Sequence, residues 1–214
     1  MATNKSKQPL PQIEIFISTS TPTLDILGDE TFKIILTATL KSDRPITFPR
    51  ANTIFEVSTA IHDCGLSFTS VKTGKAARRS PDGLVCSFSA SATNAFSTHK
   101  VSTLQPNEEQ LFIHTLGPFR GSSGVLTDQT HTDASPKGGI WYGTTGLETG
   151  TYDISVPSDR CISVWKYAPS TANLWGWWGE RVHNAPIHFV VKKTATVLVK
   201  QVEDPRDMSV SFQL

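Results

Sequence analysis

Alternation of apolar and polar residues at every second position constrains the fold of this chain more than any other sequence feature. Ile13, Ile15 and Ile17 stand at alternate positions, and Phe32 to Leu40 repeats the pattern over a longer stretch. Successive side chains of a β-strand point to opposite faces, so this pattern predicts strands with one buried face. No comparable stretch shows the 3.6-residue period of an amphipathic helix. We therefore predict an all-β fold.

Other short segments of the same character follow along the chain. Most are bounded by Gly, Pro, Asn or Asp, which favour turns. We predict about eleven strands in all, and regular short strands separated by turns favour a β-sandwich. The further predicted strands are 45–48, 53–59, 66–71, 84–88, 111–115, 151–156, 161–167, 187–191 and 194–200.

The length of 214 residues fits one domain. Residues 1–10 are polar, and we expect a disordered tail there, followed by a single β-sandwich domain over 11–214. The segment 117–150 interrupts the strands and holds eight of the fourteen glycines. A loop of this length in a compact domain usually carries function or is disordered. We expect it to be a Gly-rich insertion and the first place to look for a site.

The charge balance and the termini argue against several classes of partner. Twenty Lys and Arg against nineteen Asp and Glu leave a formal net charge of +1, whereas nucleic-acid-binding domains usually carry a basic excess. No apolar stretch reaches the roughly 18 residues that a membrane span needs. The first residues also lack the apolar region of a signal peptide. We expect a cytoplasmic protein that binds neither nucleic acid nor membranes.

The cysteines and histidines do not form a pattern typical of a metal site. Cys64, Cys86 and Cys161 are odd in number and widely spaced, which predicts neither a disulfide framework nor a zinc knuckle. His183 and His188 lie five positions apart, with no His-x-His or His-Glu-x-x-His pair to set a coordination geometry. We expect no metal and no cofactor.

Two segments resemble known sandwich proteins. Gly150-x-Tyr152, at the start of a predicted strand, is similar to the tyrosine corner of immunoglobulin-like domains, in which the phenol hydroxyl bonds to the backbone a few residues upstream. Together with blocks 40–48 and 174–179, it resembles a group of uncharacterised filamentous-fungal β-sandwich proteins. The resemblance implies an immunoglobulin-like antiparallel sandwich and a fungal source. It carries over no activity and no functional residue.

Aromatic side chains are dense in the later part of the chain. Broad aromatic faces line small-molecule pockets or stack on sugar rings, and their N–H and O–H groups orient polar ligands. The same rings can instead fill one end of the core, an alternative that applies most strongly to Trp165. The candidate ligand-binding residues are Trp141, Tyr142, Trp165, Trp175, Trp177 and Trp178.

The acid–base candidates lack a recognised motif. His131 and Asp133 lie two positions apart, so one face of an extended segment would hold a base and its orienting carboxylate. His183, Glu180 and Tyr142 are the other groups that an enzyme would use on an apolar ligand. No Gly-x-Ser-x-Gly elbow accompanies them.

Two smaller clusters each have a functional and a structural interpretation. The loop 72–79 carries two lysines and two arginines, which either hold a phosphate group or face solvent. Cys64 directly follows His62 and Asp63, so it is either a thiol activated by an imidazole or a buried structural cysteine.

These observations lead to three hypotheses. The first is a binding or interaction module, free of cofactors, with an aromatic-lined recess between 117–150 and 165–178 for a small apolar or sugar-like ligand. The second is a cofactor-independent cyclase, isomerase or hydrolase acting on an apolar fungal secondary metabolite, since such chemistry needs only a shaped pocket and one acid–base group. The third is a structural role, in which edge strands join copies of the chain into a homo-oligomer.

Overall fold

The computed structural model describes residues 10–26, 28, 30–79, 101–119, 140–141, 144, 146–167 and 185–200. Within these ranges nearly all regular elements are strands, and the sheets pack as a curled β-sandwich, which confirms the predicted fold class. The predicted tail apart from Leu10, and most of the predicted insertion 117–150, lie outside the described residues.

The described strands have two to ten residues each. A single π-helical turn, Ser58–His62, lies between the fourth and fifth of the described strands. In chain order the strands are β1 (Gln12–Thr19), β2 (Thr23–Asp25), β3 (Phe32–Lys41), β4 (Ile46–Pro49), β5 (Ser67–Ser70), β6 (Val101–Leu104), β7 (Glu109–Leu116), β8 (Pro118–Phe119), β9 (Ile140–Trp141), β10 (Gly150–Ser155), β11 (Cys161–Ile162), β12 (Lys166–Tyr167), β13 (Ile187–Lys193) and β14 (Ala195–Lys200).

A five-stranded sheet in the order β11-β13-β1-β3-β7 forms one layer. The alternating isoleucines Ile13, Ile15 and Ile17 of β1 are fully buried, as the period of two predicts. Strand β3 pairs with β1 on one side and with β7 on the other, both antiparallel and without a break in register on β3. Its residues Phe32 and Ile34 point into the same core.

A four-stranded sheet in the order β2-β14-β10-β5 forms the second layer. Its inward residues Leu24, Val197, Val199 and Ile154 belong to the same apolar cluster as those of the first layer. A three-stranded sheet, β12-β4-β6, and the β8–β9 pair complete the described structure. One shared core therefore holds the layers together, since burial of apolar area is the main stabilising contribution.

The segment that contains β1 and β2 contributes a strand to each layer. Strand β1 runs parallel to β13, and β2 runs parallel to β14, whereas the other described pairings of named strands are antiparallel. The change of sheet occurs around Pro22, whose carbonyl accepts a hydrogen bond of 2.9 Å from the Leu198 amide. Proline lacks a backbone N–H, which suits it to a position between strands.

The predicted strand 53–59 is wrong. This segment forms turns that lead into the helical turn Ser58–His62. Asn52 has a φ of 60°, a left-handed conformation that turns the chain before the segment begins. The adjacent residues Ile54 and Phe55 are both buried, whereas a strand with one solvent face buries only alternate residues.

Other boundaries differ in smaller ways. The single predicted strand 161–167 is two strands, β11 and β12, which pair in different sheets. Strands β2 and β6 were not predicted, nor were β8 and β9, which lie in the predicted loop 117–150; the predicted strand 84–88 lies outside the described residues. Tyr152 of the tyrosine-corner motif lies buried in β10, and its Cε2 is 3.6 Å from where a Cβ at Gly150 would stand. The bond of its hydroxyl to the upstream backbone stays a prediction.

Candidate functional site

Most of the site residues predicted from the sequence lie outside the described residues. The aromatic recess and the acid–base pair therefore stay predictions. Trp141 belongs to β9, of which only the backbone course is described. The predicted residues outside the described ranges are His131, Asp133, Tyr142, Trp175, Trp177, Trp178, Glu180 and His183.

Trp165 lies in the core. Its side chain is fully buried, and its indole N–H donates a hydrogen bond of 2.9 Å to the backbone carbonyl of Ala185. Tyr167 packs edge-on against it, with ring centroids 5.1 Å apart, and the guanidinium of Arg44 lies 4.3 Å from the centre of the Tyr167 ring. This geometry agrees with the structural alternative for Trp165, because the ring has no exposed face to offer a ligand.

A small open pocket with a volume of about 200 Å³ lies next to the residues that precede Trp165. One side is the turn after β4, and the other is the segment from the end of β11 to the residue before Trp165. The two sides are far apart in sequence and meet only in the folded chain. The described lining residues are Pro49, Ala51, Asn52, Thr53, Ile162, Ser163 and Val164.

The turn side of the pocket is held by its own hydrogen bonds. The Thr53 hydroxyl donates to the Arg50 carbonyl at 2.7 Å, and the Thr53 amide donates to the same oxygen at 3.1 Å. The Arg50 guanidinium in turn donates to the Phe55 carbonyl through Nη2 at 3.0 Å, and it lies 5.3 Å from the centre of the Phe112 ring. These contacts satisfy backbone groups that a turn would otherwise leave exposed, and they fix the shape of this wall.

His114 of β7 holds the same turn through a side-chain hydrogen bond. Its side chain points inward from β7, and its Nε2–H donates to the Ile54 carbonyl at 2.9 Å. Burial lowers the pKa of this imidazole from its ordinary 6.5, with the nearby Arg50 charge acting in the same direction, while the bond to Ile54 opposes them. Because a carbonyl oxygen can only accept, Nε2 carries a proton in this bond. No role for His114 was predicted, although its position two residues after Phe112 in the predicted strand 111–115 indicates that the two side chains share a face.

The opposite side of the pocket combines a buried and an exposed apolar residue. Ile162 is buried at the end of β11, and Val164 is 40% exposed immediately before Trp165. Ser163, also exposed, places a hydroxyl between them. None of the described lining residues is ionisable, and the polar groups are the Asn52 amide and the Ser163 and Thr53 hydroxyls. Such a lining suits binding of an apolar group more than proton transfer.

In the basic loop, Arg79 has a structural role. Its guanidinium donates to the backbone carbonyls of Ile61 and Leu66, and it lies 4.8 Å from the centre of the Phe68 ring. The lysines of this loop are exposed. Arg79 therefore joins the helical turn to β5, which agrees with the structural interpretation for this arginine and leaves the phosphate hypothesis to the exposed members of the loop.

Cys64 occupies a strained turn. Its φ is 54°, and its thiol lies 3.8 Å from the Arg79 carbonyl as a weak donor. The next residue must be glycine, since a Cβ on Gly65 would stand 2.5 Å from the Thr59 carbonyl oxygen. Cys64 and Cys161 are both free thiols. Cys64 is half-buried rather than buried, and the contact of its thiol with a backbone carbonyl agrees with a structural role.

The described ranges contain no group of three or more His, Cys, Asp or Glu residues arranged to hold a metal ion. They also contain no helix with the length and apolarity that crossing a membrane requires.

Comparisons with protein-family models, with curated proteins and with solved structures found no match to this chain.

Proposed function

We propose that this chain is a binding module whose pocket beside Trp165 takes a small, mainly apolar ligand. The observation that carries the proposal is an apolar pocket of about 200 Å³ with one wall already fixed by internal hydrogen bonds. A cavity of roughly 150 Å³ lined by apolar groups holds a molecule the size of benzene. A ligand of one ring, or the end of a larger one, therefore matches this volume.

The rigidity of the turn side supports binding. Arg50, Thr53 and His114 hold the turn through hydrogen bonds to backbone carbonyls, so these groups need little ordering when a ligand arrives. A site that is ordered beforehand retains more of its contact energy as affinity, because less conformational entropy is lost on binding. The Asn52 amide and Ser163 hydroxyl supply the polar groups that orient a ligand at the rim.

The same pocket supports binding over catalysis. General acid–base chemistry needs an ionisable group within hydrogen-bond reach of the substrate. The described lining has none, and His114, which anchors the turn side, already donates to a backbone carbonyl. The enzyme hypothesis depends on His131, Asp133, Glu180 and His183, which lie outside the described residues.

The test is ligand binding by wild type and by two matched variants. The probes are phenol for the apolar class and methyl β-glucoside for the sugar-like class, followed by saturation-transfer NMR and by the rise in Tm that a ligand specific for the folded state produces. Val164→Asp puts a charge on the exposed edge of the pocket. Val71→Asp makes the same change at another exposed valine, outside the described lining.

We expect phenol to bind wild type and Val71→Asp alike, and to bind Val164→Asp about tenfold more weakly, because desolvating the new carboxylate opposes binding. Binding of neither probe to wild type, or equal phenol binding by all three proteins, would overturn the proposed site. Preferential binding of the glucoside would reassign the ligand class, and contradict the apolar part of the proposal.

A further inference from the structure

Strand β7 is the longest edge strand of the described sheets, and its own sequence lacks the features that usually protect an edge. It has eight residues, and among the described residues it pairs only with β3, whereas the other described edge strands have two to four residues. Natural proteins guard exposed edges with Lys, Pro, bulges or short strands, because unpaired backbone groups recruit other chains. The range Glu109–Leu116 contains neither Lys nor Pro, and its register with β3 has no bulge.

The outward face of this edge is apolar. Leu111 is 60% exposed and Ile113 is 54% exposed, the highest values among the large apolar residues of the described strands. On the neighbouring strand β3, Ile113 lies opposite Ile35, a half-buried residue on the same face, whereas Leu111 lies opposite Thr37. We term Ile35, Leu111 and Ile113 the β7 patch. A contiguous apolar patch at a sheet edge marks an interaction site more often than a scattered exposed residue does.

We infer that β7 pairs antiparallel with β7 of a second copy of this chain, so that the two five-stranded sheets become one continuous sheet. Twofold symmetry about Phe112 sets Leu111 opposite Ile113 of the second copy, and the reverse by symmetry. Glu109 then lies opposite Thr115. The surface that makes this contact differs from the pocket beside Trp165, so the inference stands independently of the proposed function.

This register is favoured over its neighbours by the side chains alone. A shift of the symmetry axis to Leu111 sets Ile113 opposite Glu109, and a shift to Ile113 sets Leu111 opposite Thr115. Only the axis at Phe112 places both exposed apolar residues opposite each other, where cross-strand pairs contribute most. An isologous contact requires such self-complementarity, because the same surface serves both partners.

The charges agree with the same register. Lys33 lies opposite Thr115 in the β3–β7 pair, and Thr115 would lie opposite Glu109 of the second copy. Lys33 and Glu109 of the second copy therefore lie in the same cross-strand row, two strands apart, and carry opposite charges. No two residues of like charge lie opposite each other where the two β7 strands pair. Such an arrangement favours the correct approach of the two copies more than it adds affinity.

The experiment uses the full chain and two charge variants, Ile113→Lys and Leu111→Glu. Sedimentation equilibrium over a concentration series measures the monomer–dimer Kd of wild type, of each variant and of their equimolar mixture. Both positions are more than half exposed, so the variants should keep the monomer fold, which circular dichroism and urea unfolding check. Val71→Lys, at a valine that is 55% exposed in the turn after β5, is the matched control.

We expect wild type and Val71→Lys to dimerise, and each charge variant alone to have a Kd raised about a hundredfold, because a charge is desolvated against an apolar residue. In the mixture, the introduced ammonium of one variant lies opposite the introduced carboxylate of the other while the second row stays apolar, so a heterodimer should form. A monomeric wild type, an unchanged Kd in the variants, or a mixture that stays monomeric would each overturn the inferred pairing.

Discussion

The two outer faces of the sandwich differ in chemistry although the strands beneath them alternate in the same way. On the four-stranded sheet, the Thr196 hydroxyl donates to the Asp153 carboxylate at 2.6 Å, and the Ser67 hydroxyl donates to the Ser155 carbonyl at 3.2 Å. On the five-stranded sheet, the corresponding outward positions near the β7 edge are Leu111 and Ile113. The described outer face of the four-stranded sheet has polar cross-strand contacts, whereas that of the five-stranded sheet is apolar beside β7 and carries the Glu14–Lys192 ion pair further inward.

This difference shows that inward and outward residues of the sheets meet different requirements. Burying the inward residues of both sheets is needed for stability, and the alternating pattern secures it. The outward residues are free of that demand, since an exposed threonine and an exposed isoleucine contribute little to monomer stability. Monomer stability therefore does not account for the apolar outward residues at the β7 edge, which agrees with the inferred pairing of β7.

The largest effects should come from inward positions and should be the same in both sheets. Ile15→Ala in the five-stranded sheet and Ile154→Ala in the four-stranded sheet each remove a fully buried side chain. We expect each to lower the free energy of unfolding by about 2–5 kcal/mol, measured by urea denaturation. Ile113→Ala, measured at a protein concentration where the chain is monomeric, should change it by at most about 0.5 kcal/mol. A large loss for Ile113→Ala would contradict the distinction between the two roles.

An intermediate effect concerns the inward side of β7 itself. Because the pKa of His114 is lowered in the fold, the unfolded chain takes up a proton first as the pH falls below about 6.5. Stability is therefore complete above that pH and is lost below it, by at most about 1.4 kcal/mol per pH unit for one proton. His114→Gln, whose amide can still donate to Ile54, should flatten the dependence, whereas His188→Gln at an exposed site should leave it.

Urea denaturation between pH 7 and pH 5 measures this dependence. Glu14 does not interfere, since its pKa is lowered from 4.5 by the hydrogen bond from Lys192 and the nearby Lys41, and its contribution is lost only at more acid pH. The ammonium of Lys192 lies 3.0 Å from the Glu14 carboxylate on the outer face. An identical slope for wild type and His114→Gln would show that His114 does not cause the loss.

The smallest effect belongs to the polar outer face. Thr196→Val removes the hydrogen bond to Asp153 but keeps a β-branched side chain, so we expect a loss of about 0.5 kcal/mol or less at this exposed position. Thr151→Val, at an exposed threonine on the neighbouring strand β10, is the control. Thermal unfolding of the two variants side by side gives the difference. A gain of stability, or a new tendency to dimerise, would show that polarity is needed there to keep the face apart from other chains.

Sequence reasoning identified the strands where one face is buried along the whole length. In β1 and β3, local alternation and the final burial coincide, so Ile13 and Phe32 were assigned correctly to an inward face. Around Ile54 the pattern failed, because side-chain hydrogen bonds and a left-handed Asn52 shape the chain more strongly than strand propensity does. In β7, Leu111, Phe112 and Ile113 are consecutive apolar residues, so the sequence does not show which of them face outward. The register with β3 decides it.

The candidate pocket could not be predicted from the sequence. Pro49 and Val164 are brought together by long-range strand pairing, and neither lies near a recognised motif. Trp165 was noticed, but its role depends on where its N–H finds an acceptor, and Ala185 lies in a different part of the chain. Spacing can suggest a cluster of ring systems, whereas burial and hydrogen-bond partners decide which of them can meet a ligand.

The parallel pairing of β1 with β13 and of β2 with β14 sets the order of events during synthesis. Leu24 must wait for Val199 before its strand gains a neighbour, and Ile13 must wait for Phe189 before it gains its parallel partner. Contacts between residues so distant in sequence close large loops and slow the folding rate. While translation continues, β1 and β2 therefore stay without these partners, and both layers of the sandwich can be completed only after β14 has left the ribosome.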